Sequence, residues 1–319
     1  MPDAYAPAWG VALSRDCHAL VTPQPARVRQ LRAPLPILSA RALGGGIELK
    51  WTVAALPVED FGTKPEPFGG IEFSLMPPVL SDLLGRVRFA ISREETRYYL
   101  NGVFLTVQDG YMQAVSTDGH RMAINSIAPP DDLDVDRFKT QTQSNGSLNG
   151  VIIPTQAVSL ILDNLPRAGS NRPVRITIAD SDRLRIRVAI PDGPEFVCRL
   201  IDGVYPDFTR IVKMETATTE VLLDRCAGIR AVRMVGAAAR AERTEMRGGG
   251  VILSFDLQRN GAGVTDGSSA ARTEFPAHHD HSPIKSGFND RYLIEALNQF
   301  TGETVMFRFQ PLNGSEYCT

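Results

Sequence analysis

Two short groups of residues have the types and spacing of a catalytic or metal-binding site. Asp118 and His120 stand one residue apart, which puts a carboxylate beside an imidazole as in acid–base catalysis. The segment His278-His279-Asp280-His281 holds three of the five histidines and could bind a metal ion. Gly119 instead favours a turn between strands, and the Gly-, Ser-, Ala- and His-rich stretch 261–286 favours a mobile loop. The sequence also lacks the GxxxxGK[ST], HExxH and GxSxG motifs, so no catalytic residue, metal or other cofactor is predicted.

A third group is a run of arginines in a segment that periodicity predicts to be a helix, from about Leu222 to Met246. The arginines in and just after it are Arg225, Arg230, Arg233, Arg240, Arg243 and Arg247. At about 100° per residue they fall within an arc of roughly 140°. Apolar residues such as Met234, Val235 and Ala238 are expected mostly on the other side. Such a strip suits phosphate oxygens and would bind DNA without reading its sequence, although a solvated helix face remains the alternative.

Composition limits the class of protein. The 319 residues carry 34 basic and 36 acidic side chains, which excludes a wholly basic nucleic-acid binder but allows a locally basic face. The cysteines at 17, 198, 226 and 318 are far apart, which argues against a zinc ribbon or a disulfide framework and fits a reducing cytosol. No apolar run reaches the roughly 20 residues of a membrane span, and no secretory signal is visible. A cytoplasmic location without membrane contact is predicted.

The elements that must position these residues recur along the chain. A short extended segment leads into an amphipathic helix and then into further strands, and this unit appears four times. Pro77-Pro78 and Thr155 are expected to begin or cap the first two helices, and Asn289 or Asp290 to cap the last. Strands are also expected at Arg97–Val107 and, in the less regular first 70 residues, at Ile47–Val53. Gly62–Gly70 is predicted to be a linker.

Three motifs identify a family. They are Thr96-Arg97-Tyr98-Tyr99-Leu100-Asn101-Gly102, Ser116-Thr117-Asp118-Gly119-His120-Arg121-Met122 and Asp202-Gly203-Val204-Tyr205-Pro206-Asp207-Phe208. In their order and spacing the sequence resembles the bacterial sliding clamp, the beta subunit of DNA polymerase III. The resemblance is strong from about Glu72 to Ile211 and fainter to about Phe309. Val151–Pro154 and Gly287–Asn289 match further.

The resemblance implies an α+β fold of tandem DNA-clamp domains, built from repeated β-α-β units with helices inside and antiparallel sheets outside. It divides the chain into a truncated first domain and linker (1–70), a central domain (71–213) and a shortened third domain (214–319). Two chains would close head-to-tail into a ring around double-stranded DNA and give a polymerase processivity without catalysis. The short first domain puts ring closure in question. A clamp-derived peptide-binding module is therefore the alternative, and a metal-dependent enzyme using His278–His281 is the second.

The resemblance also implies two sets of site residues. The DNA-contacting set is Arg86, Arg88, Arg93, Arg225, Arg230, Arg233 and Arg240. A cleft for short peptides of the DNA polymerase III alpha subunit and the clamp loader would comprise Leu100, Thr117, Gly119, His120, Arg121, Met122, Pro206, Arg210 and Ile211. The acidic Glu94 and the neutral Thr155 and Gln156 depart from the basic residues expected at DNA-facing positions.

Overall fold

The computed structural model describes residues 19–25, 36–44, 47–54, 68–142, 148–166, 172–179, 185–212, 219–241, 250–256, 261–265, 271–279 and 284–309. The chain divides into two compact units, Met1–Pro67 and Phe68–Thr319. The first unit contains strands β1 (Ala19–Pro25), β2 (Pro36–Gly44) and β3 (Ile47–Ala54). They form an antiparallel sheet in the order β1-β2-β3, which confirms the strand predicted from Ile47. Of the predicted linker, only Phe68–Gly70 lies within the described residues.

The central block (Phe68–Val212) contains two copies of the predicted unit. The first is β4 (Gly70–Leu75), α1 (Pro77–Gly85), β5 (Gly102–Gln108), β6 (Tyr111–Thr117) and β7 (Met122–Ile127), followed by α2 (Val135–Gln141). The second is β8 (Gly150–Pro154), α3 (Thr155–Asn164), β9 (Val174–Ala179), β10 (Arg185–Ala189) and β11 (Glu195–Arg199), followed by α4 (Thr209–Val212). Pro77 and Pro78 open α1, as predicted, where a missing N–H costs no hydrogen bond.

The first strand of each copy pairs with a strand of the other copy. β4 pairs with β9 in the sheet β11-β10-β9-β4, and β8 pairs with β5 in the sheet β7-β6-β5-β8. The two antiparallel sheets and helices α1 and α3 enclose one apolar core, which includes Phe73, Leu83 and Val158. Neither copy buries its apolar face alone, because each sheet is completed by the other copy.

The C-terminal block (Thr219–Phe309) repeats this arrangement. Its elements are β12 (Thr219–Asp224), α5 (Arg225–Ala241), β13 (Gly250–Asp256), β14 (Gly261–Thr265), β15 (Arg272–His279), β16 (Ile284–Asn289), α6 (Asp290–Leu297) and β17 (Thr304–Phe309). All strand pairs are antiparallel, in the order β16-β13-β14-β15-β12-β17. The predicted cap of the last helix is confirmed, because Asn289 accepts hydrogen bonds from the backbone N–H groups of Arg291 and Tyr292. The fourfold repeat read from the sequence is therefore present.

The arginine-rich helix starts later than predicted. Leu222 and Leu223 belong to β12, where burial alternates, and Asp224 caps α5 by accepting a hydrogen bond from the Ala227 N–H at 2.6 Å. The predicted apolar side was also partly wrong. Val235 is buried, but Met234 is 66% exposed and Ala238 is exposed. Gly236 explains how closely α5 meets α6, because a Cβ atom there would lie 2.4 Å from Asp290 Oδ2.

Three other local predictions were wrong. Tyr98–Leu100 form a 3-10 turn rather than a strand, since the Leu100 and Asn101 N–H groups donate to carbonyls three residues earlier. Thr155 does not cap α3; its hydroxyl donates to the Asn101 carbonyl at 2.7 Å. The stretch 261–286 is not simply a loop, because it contributes β14, β15 and the start of β16. In β15, Phe275 and Ala277 are buried between exposed neighbours, which is the alternation of a one-sided strand.

Candidate peptide-docking and DNA-contacting surfaces

The turn between β6 and β7 has a fixed backbone. Asp118 Oδ1 accepts hydrogen bonds from the His120 and Arg121 N–H groups at 2.9 and 3.0 Å. The Thr117 hydroxyl donates to the Arg121 carbonyl at 2.7 Å and accepts from the Gly119 N–H. Gly119 has φ +89°, and a Cβ atom there would lie 2.4 Å from Arg97 Nη1. Asp118 and His120 therefore belong to a turn, and Asp118 is engaged in holding its backbone.

The side chain of Arg97 packs against this turn and holds it by a hydrogen bond. Its guanidinium group donates to the Asp118 carbonyl at 3.2 Å and to both carboxylate oxygens of Glu94 at 2.7 Å. The hydrogen bond from Arg97 lowers the pKa of Glu94 below its usual range. The acidic residue at position 94 thus has a local role, since it orients the arginine that packs under Gly119.

The segment 200–212 packs against the same region. Tyr205 stacks on Phe104 with ring centroids 4.6 Å apart, and burial raises the pKa of its hydroxyl. A Cβ atom on Gly203 would lie 2.9 Å from Tyr99 Cβ, so this segment lies directly against the 3-10 turn. One apolar cluster joins residues of all three motifs: Leu100, Tyr99, Met122, Tyr205 and Phe208, together with Phe104, Val115, Ile124, Leu148, Ile152 and Ile201.

The predicted cleft residues differ in exposure. Leu100 is buried, whereas Met122 and Thr117 are partly exposed. The exposed members are Gly119, His120, Pro206, Arg210 and Ile211, with Ile211 72% exposed. Val204 and Tyr98, which the sequence analysis did not assign to the cleft, are also exposed large apolar residues in these motifs. The structure therefore places an apolar floor beside exposed apolar and polar side chains.

Arg121 has a different environment from its neighbours. Its side chain is 19% exposed and donates to Asp118 Oδ2 at 3.0 Å, to the Phe89 carbonyl at 2.8 Å and to Glu295 Oε2. Its guanidinium carbon lies 4.1 Å from the centre of the Tyr292 ring. Tyr292 and Glu295 belong to α6, so Arg121 joins the turn to the C-terminal block. Neither partner was predicted from the sequence.

Six of the seven predicted DNA-contacting arginines fall into two groups. Arg86 donates to the Gln299 carbonyl at 2.9 Å and Arg225 to the Gly302 carbonyl at 2.8 Å, so both are tied to loops near α6. Arg88, Arg93, Arg230 and Arg233 are exposed, and Arg88 donates to the Ser159 hydroxyl on α3. The backbone of Arg240 lies on α5. The side chain of Arg240 lies outside the described residues, as do Arg243 and Arg247.

The proposed metal site can be tested only in part. His278 lies exposed on β15 opposite Leu222, while Asp280 and His281 lie outside the described residues. Within the described part of the chain, no group of three or more His, Cys, Asp or Glu side chains could hold a metal ion. None of its helices is long and apolar enough to cross a membrane.

Comparisons with known proteins agree on one family. Residues 74–207 match the model of the DNA polymerase III beta subunit, central domain. A beta sliding clamp from Caulobacter vibrioides is 26% identical over 272 residues, covering 82% of this chain. The chain is similar to bacterial beta sliding clamps over most of its length. A Pseudomonas putida clamp is 27% identical over 83% of the chain. The chain spans about two thirds of the length of these clamps, 65% and 66% respectively.

Solved clamp structures share the fold. The sliding clamp of Bartonella birtlesii has a TM-score of 0.67 and 26% identity, covering 88% of this chain and 71% of that one. The Pseudomonas aeruginosa clamp has a TM-score of 0.66 at 23% identity, which supports the fold alone. The α+β clamp fold with antiparallel sheets, predicted from the sequence, is therefore confirmed. The three domain boundaries drawn on the sequence stay predictions.

One prediction concerns Asp207, which precedes α4. The Thr209 hydroxyl donates to its carboxylate at 2.6 Å, and Arg210 Nε lies 3.1 Å away. These hydrogen bonds hold the pKa of Asp207 below its usual range, with the Thr209 hydroxyl as the main cause. The stabilisation is therefore present above about pH 4 and is lost as pH falls through the lowered pKa. We expect Thr209→Val to raise the pKa of Asp207, measured by carboxyl-carbon NMR titration. An unchanged titration would remove the hydroxyl as the cause, and Thr140→Val is the control.

Proposed function

We propose that the chain is a non-catalytic DNA sliding clamp that encircles duplex DNA and gives processivity to a replicative polymerase. The observation that carries this proposal is the tandem strand–helix–strand repeat, which the chain shares with the solved clamps. Such a protein needs no active site, because a closed ring stays on DNA by topology. Weak contacts then suffice and allow sliding. A cytoplasmic location is part of the same proposal.

The DNA-contacting surface is proposed to lie along the exposed face of α5. Arg230 and Arg233 are exposed there, on the side opposite the buried Ile229, Val232 and Val235. Guanidinium groups bind phosphate oxygens by charge-assisted hydrogen bonds, which are independent of base sequence. Arg88 and Arg93 are proposed to extend this surface from the central block. Arg86 and Arg225 have carbonyl partners, so their contribution is expected to be smaller.

The peptide-docking surface is proposed to lie where the three sequence motifs meet. Its floor is the cluster around Leu100, Met122 and Tyr205, and its rim includes His120 and Arg210. An extended segment with apolar anchors fits an apolar floor with a polar rim. The proposed partners are short motifs of the DNA polymerase III alpha subunit and the clamp loader. Ile211 is the most exposed of the large apolar residues noted here and would be covered by such a peptide.

Charged residues at the docking surface are expected to reduce peptide affinity at least about tenfold, because a buried unpaired charge has a large desolvation cost. The variants are Met122→Lys and Ile211→Asp, and the measurement is fluorescence anisotropy with a labelled clamp-binding peptide. Tyr111→Ser, an exposed aromatic residue at the start of β6, is the matched control. Equal affinity in Met122→Lys, Ile211→Asp and the unmodified chain would reject this surface.

Two assemblies compete under this proposal. A dimer ring is the leading form, and a monomeric module that only docks peptides is the alternative. The described residues of the first unit form the three-stranded sheet β1-β2-β3. Sedimentation equilibrium separates the two forms. A stable species near twice 34.9 kDa supports the ring, whereas a species of 34.9 kDa at all concentrations supports the module.

A further inference from the structure

Arginines also gather on a sheet face of the central block, away from α5. In the sheet β11-β10-β9-β4, alternate residues such as Ile176, Ile186 and Val188 point into the core. The residues between them point away from it. Four arginines share this second face and are called the outer-sheet arginines: Arg175, Arg185, Arg187 and Arg199. Arg185 lies directly opposite Arg199, and Arg175 lies opposite Ala189 on the same face as Arg187.

The charge on this face is not balanced. Arg187 pairs with Glu195 at 3.2 Å. Glu72 accepts a weak hydrogen bond from Thr177 at 3.4 Å, and Asp132 accepts one from the Ser74 backbone. Among the residues that the structure describes, no acidic side chain pairs with Arg175, Arg185 or Arg199. Like charges in direct cross-strand opposition destabilise a sheet, so the Arg185–Arg199 pair has a cost that an anionic ligand would relieve.

The shape of the face favours a flexible polyanion. The outward neighbours of the arginines are small or aliphatic, as at Ala189, Thr177 and Val197, and they make no pocket for peptide side chains. A rigid duplex can bring only part of its backbone to one sheet face, whereas a single strand can lay successive phosphates on all four arginines. Phe68, whose ring centre lies 4.8 Å from the Arg187 guanidinium carbon, adds an aromatic surface. Basic groups beside an aromatic ring are the usual elements of single-strand binding.

We propose that the outer-sheet arginines bind single-stranded nucleic acid through its phosphates, at a site separate from α5. Arg185 and Arg199 are the central contacts, because they are adjacent and lack an acidic partner among the described residues. Arg175 and Arg187 flank them. The site does not depend on ring closure or on peptide docking, so it can be tested independently of the proposed clamp function.

The test uses the full chain and a labelled oligothymidine of 20 nucleotides, with affinity measured by fluorescence anisotropy over a range of salt concentrations. Arg185→Ser with Arg199→Ser is expected to weaken binding at least about tenfold and to lower the salt slope by about 1.4, since each lost phosphate contact removes about 0.7. Arg185→Lys with Arg199→Lys should keep the slope but lose affinity, because lysine lacks the bidentate fork. Arg272→Ser with Arg308→Ser, which removes the same charge from β15 and β17, should leave oligothymidine affinity within about threefold.

A loss of affinity in the serine variant would not come from unfolding, because removing a like-charge pair should leave the urea midpoint unchanged or raise it. The proposal is overturned if the Arg185/Arg199 serine variant binds oligothymidine as the unmodified chain does. It is also overturned if the Arg272/Arg308 variant loses as much affinity as the outer-sheet variant. Binding of poly-glutamate instead of oligothymidine, lost in the outer-sheet variant, would assign the face to an acidic protein partner.

Discussion

Duplex DNA binding is expected to fall at least about tenfold when Arg230 and Arg233 are both replaced by serine, and the salt slope to fall by about 1.8. Both side chains are exposed on the same face of α5. Each phosphate contact releases about 0.9 counterion from duplex DNA, so removing two contacts has a defined signature in a plot of log affinity against log salt. Replacement by glutamate should weaken binding further, because it adds repulsion.

Two control variants distinguish an effect of net charge from an effect of this particular face of α5. Met234→Ser changes an exposed apolar side chain on the same face of α5 and should leave affinity unchanged. Arg272→Ser with Arg308→Ser removes the same two charges from β15 and β17, where these arginines pair with Glu274 and Glu220, each at 2.9 Å, and should have little effect. Equal losses in the Arg272/Arg308 variant and in the α5 variant would mean that only net charge matters. That result would remove α5 as the DNA-contacting surface.

Replacing Arg121 by alanine is expected to lower the free energy of unfolding by about 3 kcal/mol and to loosen the packing of α6 on the central block. The change removes the contact with the Tyr292 ring and leaves the mostly buried carboxylate of Asp118 without its cation. Arg121→Lys should recover part of the loss, because lysine keeps the charge but not the planar fork. Glu295→Gln should cost less than about 1 kcal/mol, because the Glu295 side chain is 49% exposed.

The measurement is urea denaturation together with hydrogen exchange of the α6 amides. Faster exchange in α6, with little change in the β9–β10 amides, would locate the loss at this junction. If Arg121→Ala and the unmodified chain had the same midpoint and the same α6 exchange, Arg121 would not be the residue that joins the two blocks.

The repeats could be predicted because each rests on local patterns. The stripe of Val158, Ile161 and Leu165 and the cap at Asn289 need only a few neighbouring residues to be recognised. The start of α5 was missed because Leu222 and Leu223 fit either a helix or a strand. Asp224 was the available signal, since aspartate favours the cap position.

Other features depend on distant residues and leave little trace in the local sequence. Arg121 contacts Glu295 across 174 positions, so its role at the junction of the two blocks needs the tertiary structure. The outer-sheet arginines likewise come together only through strand register, as Arg185 meets Arg199. The predicted cleft residues were found through the family motifs. Their assignment to peptide docking, and that of the α5 arginines to DNA, stays a prediction.

Encirclement is tested most directly by loading the protein on a nicked circular duplex, raising the salt, and then cutting the circle once. A clamp should remain on the intact circle at a salt concentration that removes charge-bound protein, and should leave within minutes of the cut. Equal loss from circle and linear duplex as salt rises would mean that charge alone holds the protein, and would contradict the sliding-clamp assignment.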